Sequence, residues 1–205
     1  DGVARSIGRS HAGVAPRVRV LSYRACWPTQ ANADAARCNT FTLAQALGAA
    51  IASGADIINL SLGGPRDPLL EQLAGYAVKH GSIVVGAVPP NGRMDGFPVD
   101  VSGVIAVTSV EDPRASGAAV LAAPGRDILT LEPGGHYDYA SGSSLATAHV
   151  TGAIALLIEL NRHLDARALV AALNGSRGSA SAPIDVCAAM LALDRIRDNC
   201  RERVM

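Results

Sequence analysis

The sequence predicts an α/β protein in which a mostly parallel sheet is flanked by helices, forming a three-layer sandwich. Short runs that are almost entirely apolar, such as residues 83–88, are typical of strands buried on both faces of a sheet. Longer segments with apolar positions at helical spacing, such as residues 40–53, alternate with these runs. Alternating strands and helices form parallel sheets covered on both faces, and the two observations together therefore predict the fold class.

The elements of the amino-terminal half follow from periodicity and from residues that start or stop helices. Gly54 and Gly81 follow the last periodic positions of two helices, and Pro68 suits the first turn of the second helix. In chain order we predict a strand at 18–21, a turn-rich surface segment at 26–38, a helix at 40–53, a strand at 56–60 and a helix at 68–80.

The carboxyl-terminal half repeats the pattern. Pro89 and Pro90 stop the apolar run at 83–88, and small residues along a later helical segment indicate close packing against the sheet. We predict strands at 83–88, 104–107 and 120–122, a long helix at 144–160, and helices at 165–174 and 186–197.

The composition indicates one domain with a substantial core and excludes several functional classes. In 205 residues, 49% are hydrophobic and 18 Lys and Arg balance 18 Asp and Glu, which argues against a disordered chain and against nucleic acid as a partner. No apolar run reaches the length of a membrane span, and residues 1–5 do not resemble a signal peptide. Because the first residue is Asp1, we expect a processed or truncated piece of a longer protein, with an incomplete amino-terminal part of the fold.

Four cysteines fall into two local pairs, Cys26 with Cys38 and Cys187 with Cys200. Such pairs predict two short disulfide loops and an oxidising compartment. The alternatives are four free thiols, or a metal site that is disfavoured because no histidine lies near a cysteine in the sequence. We predict no metal ligands and no cofactor, while a structural calcium ion stays open.

Ligand crevices in parallel sheets lie beyond the carboxyl ends of the strands, which singles out three places. These are residues 61–64 after one strand, Asn91 after the next, and residues 142–144 at the start of the long helix. A serine at a helix N-terminus lies beside unpaired N–H groups that can stabilise an oxyanion. The same serine can instead cap the helix, whereas a phosphate site is disfavoured because the loop lacks the P-loop lysine.

Residues 142–152 read Gly-Ser-Ser-Leu-Ala-Thr-Ala-His-Val-Thr-Gly, which resembles the serine signature of the subtilisin-like peptidases, or subtilases. The Gly-Val-Ala-Pro run at 13–16 and the run Asp-Ile-Ile-Asn-Leu-Ser-Leu-Gly-Gly at 56–64 resemble further family motifs, in family order. The resemblance implies the subtilase α/β sandwich and a serine endopeptidase. It implies a single, partial catalytic domain over residues 1–205, in which 175–205 form a less family-like extension.

The resemblance also implies roles for individual residues. Ser144 matches the nucleophile that forms an acyl-enzyme. Asn91 matches the asparagine whose amide helps to form the oxyanion hole, although an Asn-Gly pair is also a common turn. The backbone of Ser61, Leu62 and Gly63 matches the strand that pairs with the substrate.

The sequence departs from the family pattern at several positions. Pro90 stands where a glycine is usual, Leu145 replaces the usual methionine, and Ala148 replaces a proline in the serine helix. The aspartate and histidine motifs of the triad should precede Gly13, and we expect this chain to lack both. His149 belongs to the serine motif but lies on the same helix as Ser144, so we interpret it as a packing or hydrogen-bonding residue. We interpret the other four histidines as structural or solvated: His11, His80, His136 and His163.

The leading interpretation is a secreted or periplasmic serine endopeptidase that hydrolyses peptide bonds through an acyl-enzyme on Ser144. Its partners would be a polypeptide substrate and the missing amino-terminal segment of the same domain. The alternative is a catalytically inactive pseudopeptidase that binds peptides along residues 61–63. An α/β-hydrolase esterase is disfavoured because Ala146 replaces the second glycine of the nucleophile elbow.

Overall fold

A computed structural model describes residues 13–29, 36–112, 120–131, 135–175 and 182–193 of the chain. Its eight strands, within these ranges, are β1 (Cys26–Pro28), β2 (Ala36–Cys38), β3 (Ile57–Leu60), β4 (Ile83–Ala87), β5 (Ile105–Ser109), β6 (Val120–Ala123), β7 (Ile128–Leu131) and β8 (Tyr137–Ala140). Its five helices, within the same ranges, are α1 (Thr40–Ala52), α2 (Pro68–Lys79), α3 (Ser143–Leu160), α4 (Ala166–Gly175) and α5 (Val186–Ala192).

The central sheet has four parallel strands in the order β3-β4-β5-β6. Every residue of β4, β5 and β6 is buried, which explains why these strands are apolar without alternation. All four lie where the sequence predicts strands. The structure therefore confirms the predicted α/β class with a parallel sheet.

Two apolar clusters cover the two faces of this sheet. On one face, Ile83 and Val85 of β4 pack with α3, α4 and α5. On the other, Val84 packs with Ile58, Leu60 and residues of α1 and α2. Successive residues of a strand point to opposite faces, so β4 contributes to both clusters and joins the three layers.

The long helix α3 lies against the sheet. Ala146, Val150, Ala153, Ile154 and Leu157 on one side of it are fully buried. By length and composition α3 also meets the criteria for a membrane-spanning helix. Its buried face accounts for this apolar character, because a helix that packs onto a sheet needs an apolar stripe.

The predicted strand at 18–21 is wrong. Residues 19–25 form no regular secondary structure, and Val18, Val20 and Leu21 are exposed. A β-branched run becomes a strand only when another strand supplies hydrogen-bond partners, and none of the described residues pairs with this segment.

Two short hairpins were not predicted as strands. β1 and β2 pair within the segment predicted to be turn-rich, and β7 pairs with β8 just before α3. Cys26 and Cys38 lie directly opposite each other in the first hairpin and form a disulfide, which confirms the first predicted pairing. Cys200 and residues 194–197 of the last predicted helix lie outside the described residues, so the Cys187–Cys200 pairing stays a prediction.

Candidate active site

Three segments meet at the carboxyl edge of the sheet: residues 61–64 after β3, residues 88–92 after β4, and the first turn of α3. The hydroxyl of Ser61 donates to the carbonyl oxygen of Ser144 at 2.9 Å. The hydroxyl of Ser143 donates to the carbonyl oxygen of Val88 at 2.6 Å. Residues 61–64 and the start of α3 therefore come together, and the start of the loop that carries Asn91 joins them through Val88, as expected when parallel strands end at one edge.

Gly63 lies against the loop after β4. A Cβ atom added to Gly63 would be 3.2 Å from Cγ of Pro89, so the two segments are already in contact. Gly64 donates its N–H to the carbonyl of Phe97 at 2.9 Å, which fixes the end of the 61–64 segment. Ser61 and Gly63 are exposed and Leu62 is half-buried, so this stretch of backbone borders solvent.

Ser144 lies in the first turn of α3. Gly142 is the N-cap residue of α3, and no side chain makes a capping hydrogen bond there. The Ser143 hydroxyl donates to the carbonyl of Val88, so neither serine caps the helix. The hydroxyl of Ser144 makes no hydrogen bond to any of the described residues, and the residue is partly exposed. Its surroundings include first-turn N–H groups, which have no partner within the helix and carry the positive end of the helix dipole.

Glycines at two positions shape the turn before Ser144. Gly142 has φ of +155°, a conformation that side chains rarely adopt, and it donates its N–H to the carbonyl of Gly125 at 2.7 Å. A Cβ atom on Gly125 would be 2.8 Å from the carbonyl oxygen of Gly142. The loop after β6 thus holds the turn that presents the nucleophile candidate.

Glu111 is hydrogen-bonded to this loop. Its carboxylate accepts hydrogen bonds from the Ser109 hydroxyl and, at 3.2 Å, from the N–H of Gly125. Burial alone would raise the pKa of Glu111, but these hydrogen bonds to the carboxylate outweigh it and the pKa is lowered. The charged form of Glu111 is therefore the form that fits this site.

Arg66 ties the segment after Gly64 to α2. Its guanidinium binds both carboxylate oxygens of Glu71, at 3.0 and 3.2 Å, and its Nε lies 3.1 Å from a carboxylate oxygen of Asp100. The hydrogen bond from Arg66 lowers the pKa of Glu71. These contacts hold the segment that follows Gly64 in place.

Asn91 is exposed in the loop after β4, three residues beyond Val88. Its side-chain oxygen accepts from the N–H of Arg93 at 3.0 Å, which is the turn interaction considered from the sequence. Its amide NH₂ donates to none of the described residues, so this donor is available. Asn91 can thus hold the turn through its oxygen while the NH₂ group serves another acceptor.

Two of the described histidines, His80 and His149, bond to backbone carbonyls away from Ser144. His149 bonds the carbonyl of Pro124 through Nδ1 at 2.9 Å, as expected for a hydrogen-bonding residue. His80 bonds the carbonyl of Tyr76 through Nδ1 at 2.8 Å. None of the histidines in the described ranges is hydrogen-bonded to Ser144, and His11 lies outside them. Within those ranges, no three Asp, Glu, His or Cys side chains group together in a way that would hold a metal ion.

Sequence reasoning assigned no supporting role to Glu111, because no motif connects it to Ser144. Gly125 belongs to an Ala-Pro-Gly run that follows the order of the family motifs, but its contact with the turn before Ser144 was not predicted. The Ala-Pro-Gly run at 123–125 was the available signal, because a glycine directly after a buried strand often marks a close approach of backbones.

Residues 2–183 match the sequence model of the subtilase family. The chain belongs to the subtilase family. It is 40% identical over 162 residues to a thermophilic serine proteinase of Bacillus sp. strain AK1, covering 74% of this chain and 39% of that protein. It is 32% identical over 176 residues to subtilisin-like protease 6 of Arthroderma benhamiae, covering 78% of this chain and 42% of that protein. This subtilase chain thus spans about two fifths of the length of these curated relatives.

Solved structures agree with the subtilase assignment. The patellamide maturation protease PatA matches with a TM-score of 0.71 at 27% identity, covering 93% of this chain and 82% of that one. The prenylagaramide maturation protease PagA matches in fold, with a TM-score of 0.66 at 24% identity over 78% of this chain and 70% of that one. The parallel sheet and its flanking helices are those of a subtilase serine peptidase region.

Proposed function

We propose that this chain carries the nucleophile of a serine endopeptidase and that Ser144 forms the acyl-enzyme. The position of Ser144 carries the proposal: it lies in the first turn of α3, partly exposed, with a hydroxyl that bonds to none of the described residues. A structural serine at this position would cap the helix or bond a carbonyl, as Ser143 does.

The proposed reaction uses the three segments that meet at the sheet edge. The substrate backbone pairs with residues 61–63, and the Ser144 oxygen attacks the scissile carbonyl while its proton passes to a base. The amide NH₂ of Asn91 and the N–H of Ser144 stabilise the oxyanion. The base then gives the proton to the leaving amine, and water hydrolyses the acyl-enzyme by the reverse sequence. This chemistry needs no cofactor.

We further propose that the base and its orienting carboxylate come from a segment upstream of this chain, which is then the partner that completes the domain. Support comes from the surroundings of Ser144, whose hydroxyl meets no histidine in the described part of the chain. The match covers about two fifths of the length of each relative, so the relatives contain further residues to which such a segment could correspond. A serine hydroxyl is a weak nucleophile until a positioned base accepts its proton.

A secreted or periplasmic location is also part of the proposal. It rests on the Cys26–Cys38 disulfide, since such bonds persist in oxidising compartments.

Labelling by a fluorophosphonate tests the proposed function. We expect the 205-residue chain alone to label slowly, and the chain joined to its upstream segment, as a fusion or a co-folded second chain, to label rapidly at Ser144. Ser144→Ala is the control and must abolish labelling. Rapid labelling of the chain alone at Ser144 would show that a base is already present. Peptide binding without labelling in either form would instead favour the pseudopeptidase.

A further inference from the structure

Asn59 is an exposed polar residue of β3, the strand at one end of the central sheet. Ile57 and Asn59 are two residues apart and so lie on the same face of the strand, and Ile57 packs against the cluster that contains α3. The Asn59 amide contacts α3 on one side and Ser61 on the other, which points to a positional role.

Three hydrogen bonds connect α3 to the backbone of Ser144 through Asn59. The hydroxyl of Thr151 lies 2.9 Å from Oδ1 of Asn59. Nδ2 of Asn59 donates to the Ser61 hydroxyl at 3.0 Å, and the Ser61 hydroxyl donates to the carbonyl oxygen of Ser144 at 2.9 Å. The path therefore begins on one turn of α3, crosses β3, and returns to the first turn of the same helix.

Counting protons fixes the direction of the bonds at Ser61, whereas the single proton of the Thr151 hydroxyl is shared between Oδ1 of Asn59 and, at 2.8 Å, the carbonyl oxygen of Thr147. Ser61 has one hydroxyl proton, which it gives to the Ser144 carbonyl, so it can only accept from Asn59. Asn59 must then present its NH₂ group to Ser61 and its oxygen to Thr151. A side chain that only accepts at position 59 would compete for the proton of Ser61 and draw it away from Ser144.

We propose that Asn59 is a positioning residue that, through Ser61, sets the place of Ser144 relative to the backbone that holds the substrate. This inference rests on the proposed function of Ser144. Ser61 belongs to the substrate-binding segment, and its hydroxyl fixes the helix turn that carries the nucleophile. Reaction rates depend steeply on the separation of the reacting atoms, whereas binding of the substrate backbone does not use the Asn59 amide.

Kinetics on the chain joined to its upstream segment test the positioning role. We expect Asn59→Asp and Ser61→Ala to lower kcat for peptide hydrolysis roughly tenfold with KM unchanged, because the main chain of residue 61 remains. Ser61→Thr keeps the hydroxyl and should restore most of the rate. Asn161→Asp, which keeps its side-chain acceptor at the far end of α3, is the matched control and should not change kcat.

A second readout uses the 205-residue chain itself and does not depend on activity. The ¹³C resonance of the Ser144 carbonyl reports its hydrogen bonding, and we expect it to move upfield in Ser61→Ala and in Asn59→Asp. Thr151→Val, which removes the hydroxyl at the other end of the path, should move it in the same direction. Thr130→Val on β7 is the matched control and should leave it in place.

The outcomes separate this inference from the proposed function. Wild-type kcat in Asn59→Asp and Ser61→Ala, or a carbonyl resonance that does not move, would overturn the positioning role while Ser144 labelling stands. A rise in KM at constant kcat would also overturn it, since residue 61 would then act only in substrate binding. No fluorophosphonate labelling of the completed wild-type protein would overturn the proposed function, and the role of Asn59 in catalysis with it.

Discussion

Ser143 and Ser144 are neighbours in the sequence, but they lie in different surroundings. Successive residues of a helix point about 100° apart, so one hydroxyl reaches the carbonyl of Val88 while the other faces the open side of the site. The hydroxyl of Ser143 anchors α3 to the end of β4. That of Ser144 bonds to none of the described residues, as the proposed nucleophilic role requires.

Asn91 provides a prediction at the same scale. Its side-chain oxygen holds the turn and its NH₂ group is available, so the two functions can be separated by substitution. If the NH₂ group of Asn91 stabilises the oxyanion as proposed, Asn91→Asp, which keeps the oxygen acceptor, should lower kcat of the chain joined to its upstream segment by ~10²–10³ with little change in KM, the size seen when an oxyanion-hole donor is removed from subtilisin. Steady-state kinetics on a peptide substrate measure both constants.

Asn91→Ala is the comparison variant, since it removes the turn bond to Arg93 as well. A lower kcat in Asn91→Ala together with an unchanged kcat in Asn91→Asp would show that Asn91 acts only in the turn. An increase in KM in both variants would assign it to substrate binding.

Glu111 makes the stability of the protein depend on pH. Its folded-state pKa is lowered, so its contribution to stability is present above the unfolded-state pKa of about 4.3 and is lost as pH falls through the folded-state pKa. We expect Glu111→Gln to lower the free energy of unfolding at pH 7, with a smaller difference from wild type below about pH 4. Urea denaturation at the two pH values measures this.

Glu159→Gln is the matched control for Glu111→Gln. Glu159 pairs with Arg17 at the surface, with both side chains well exposed, and such pairs contribute little. If the free energy of unfolding fell equally, and with the same pH dependence, in both variants, the hydrogen bonds from Ser109 and Gly125 to Glu111 would not contribute to stability.

At the scale of elements, the ends of α1 to α4 lie within one residue of the prediction because their signals are local, whereas α5 ends at Ala192 and not at the predicted residue 197. The side-chain oxygen of Asn39 caps α1, and Asp67 caps α2 just before Pro68. The hairpins were missed because their signals are not local: a strand of three or four residues is stabilised by its partner and by what covers it. In the first hairpin, the Cys26–Cys38 bond supplies much of that constraint.

The first hairpin yields a prediction about stability. The disulfide joins residues 12 apart in sequence, and closing a loop of this size restricts the unfolded chain. We expect the double variant Cys26→Ser with Cys38→Ser to lower the free energy of unfolding by about 3 kcal/mol. Urea denaturation under oxidising conditions measures the difference.

Reductant extends this experiment. A reducing agent should bring the wild-type stability down to that of the double variant measured in the same reducing agent. Any further loss on reducing the double variant would report a second disulfide, as the predicted Cys187–Cys200 pairing requires. Unchanged stability in the double variant would show that the hairpin is held by its packing.

At the scale of the whole molecule, the exposed segment after Pro16 stands out. Val18, Val20, Leu21 and Tyr23 are all at least 40% exposed, and residues 19–24 make no backbone hydrogen bonds to the described residues. β3, at one end of the central sheet, likewise has an edge without a partner in the described chain. Apolar side chains and open backbone groups together favour association.

We expect the chain to self-associate with rising concentration and Val20→Lys to reduce this association, because Val20 is the most exposed of these side chains at 73%. Sedimentation over a range of concentrations measures the effect. Leu129→Lys is the matched control, since Leu129 is exposed on β7 where the backbone is paired with β8. An equal reduction in both variants would show that added charge alone prevents association.

The sequence by itself determined the α/β class, the four core strands and the helices, because buried strands and helix caps have local signatures. The motif that contains Ser144 determined the family. Only the tertiary structure decided which serine hydroxyl bonds to Val88, that the 18–21 run is not a strand, and that Glu111 bonds to Gly125 and Asn59 to Ser61. These features depend on contacts between segments distant in the chain, which periodicity and spacing do not encode.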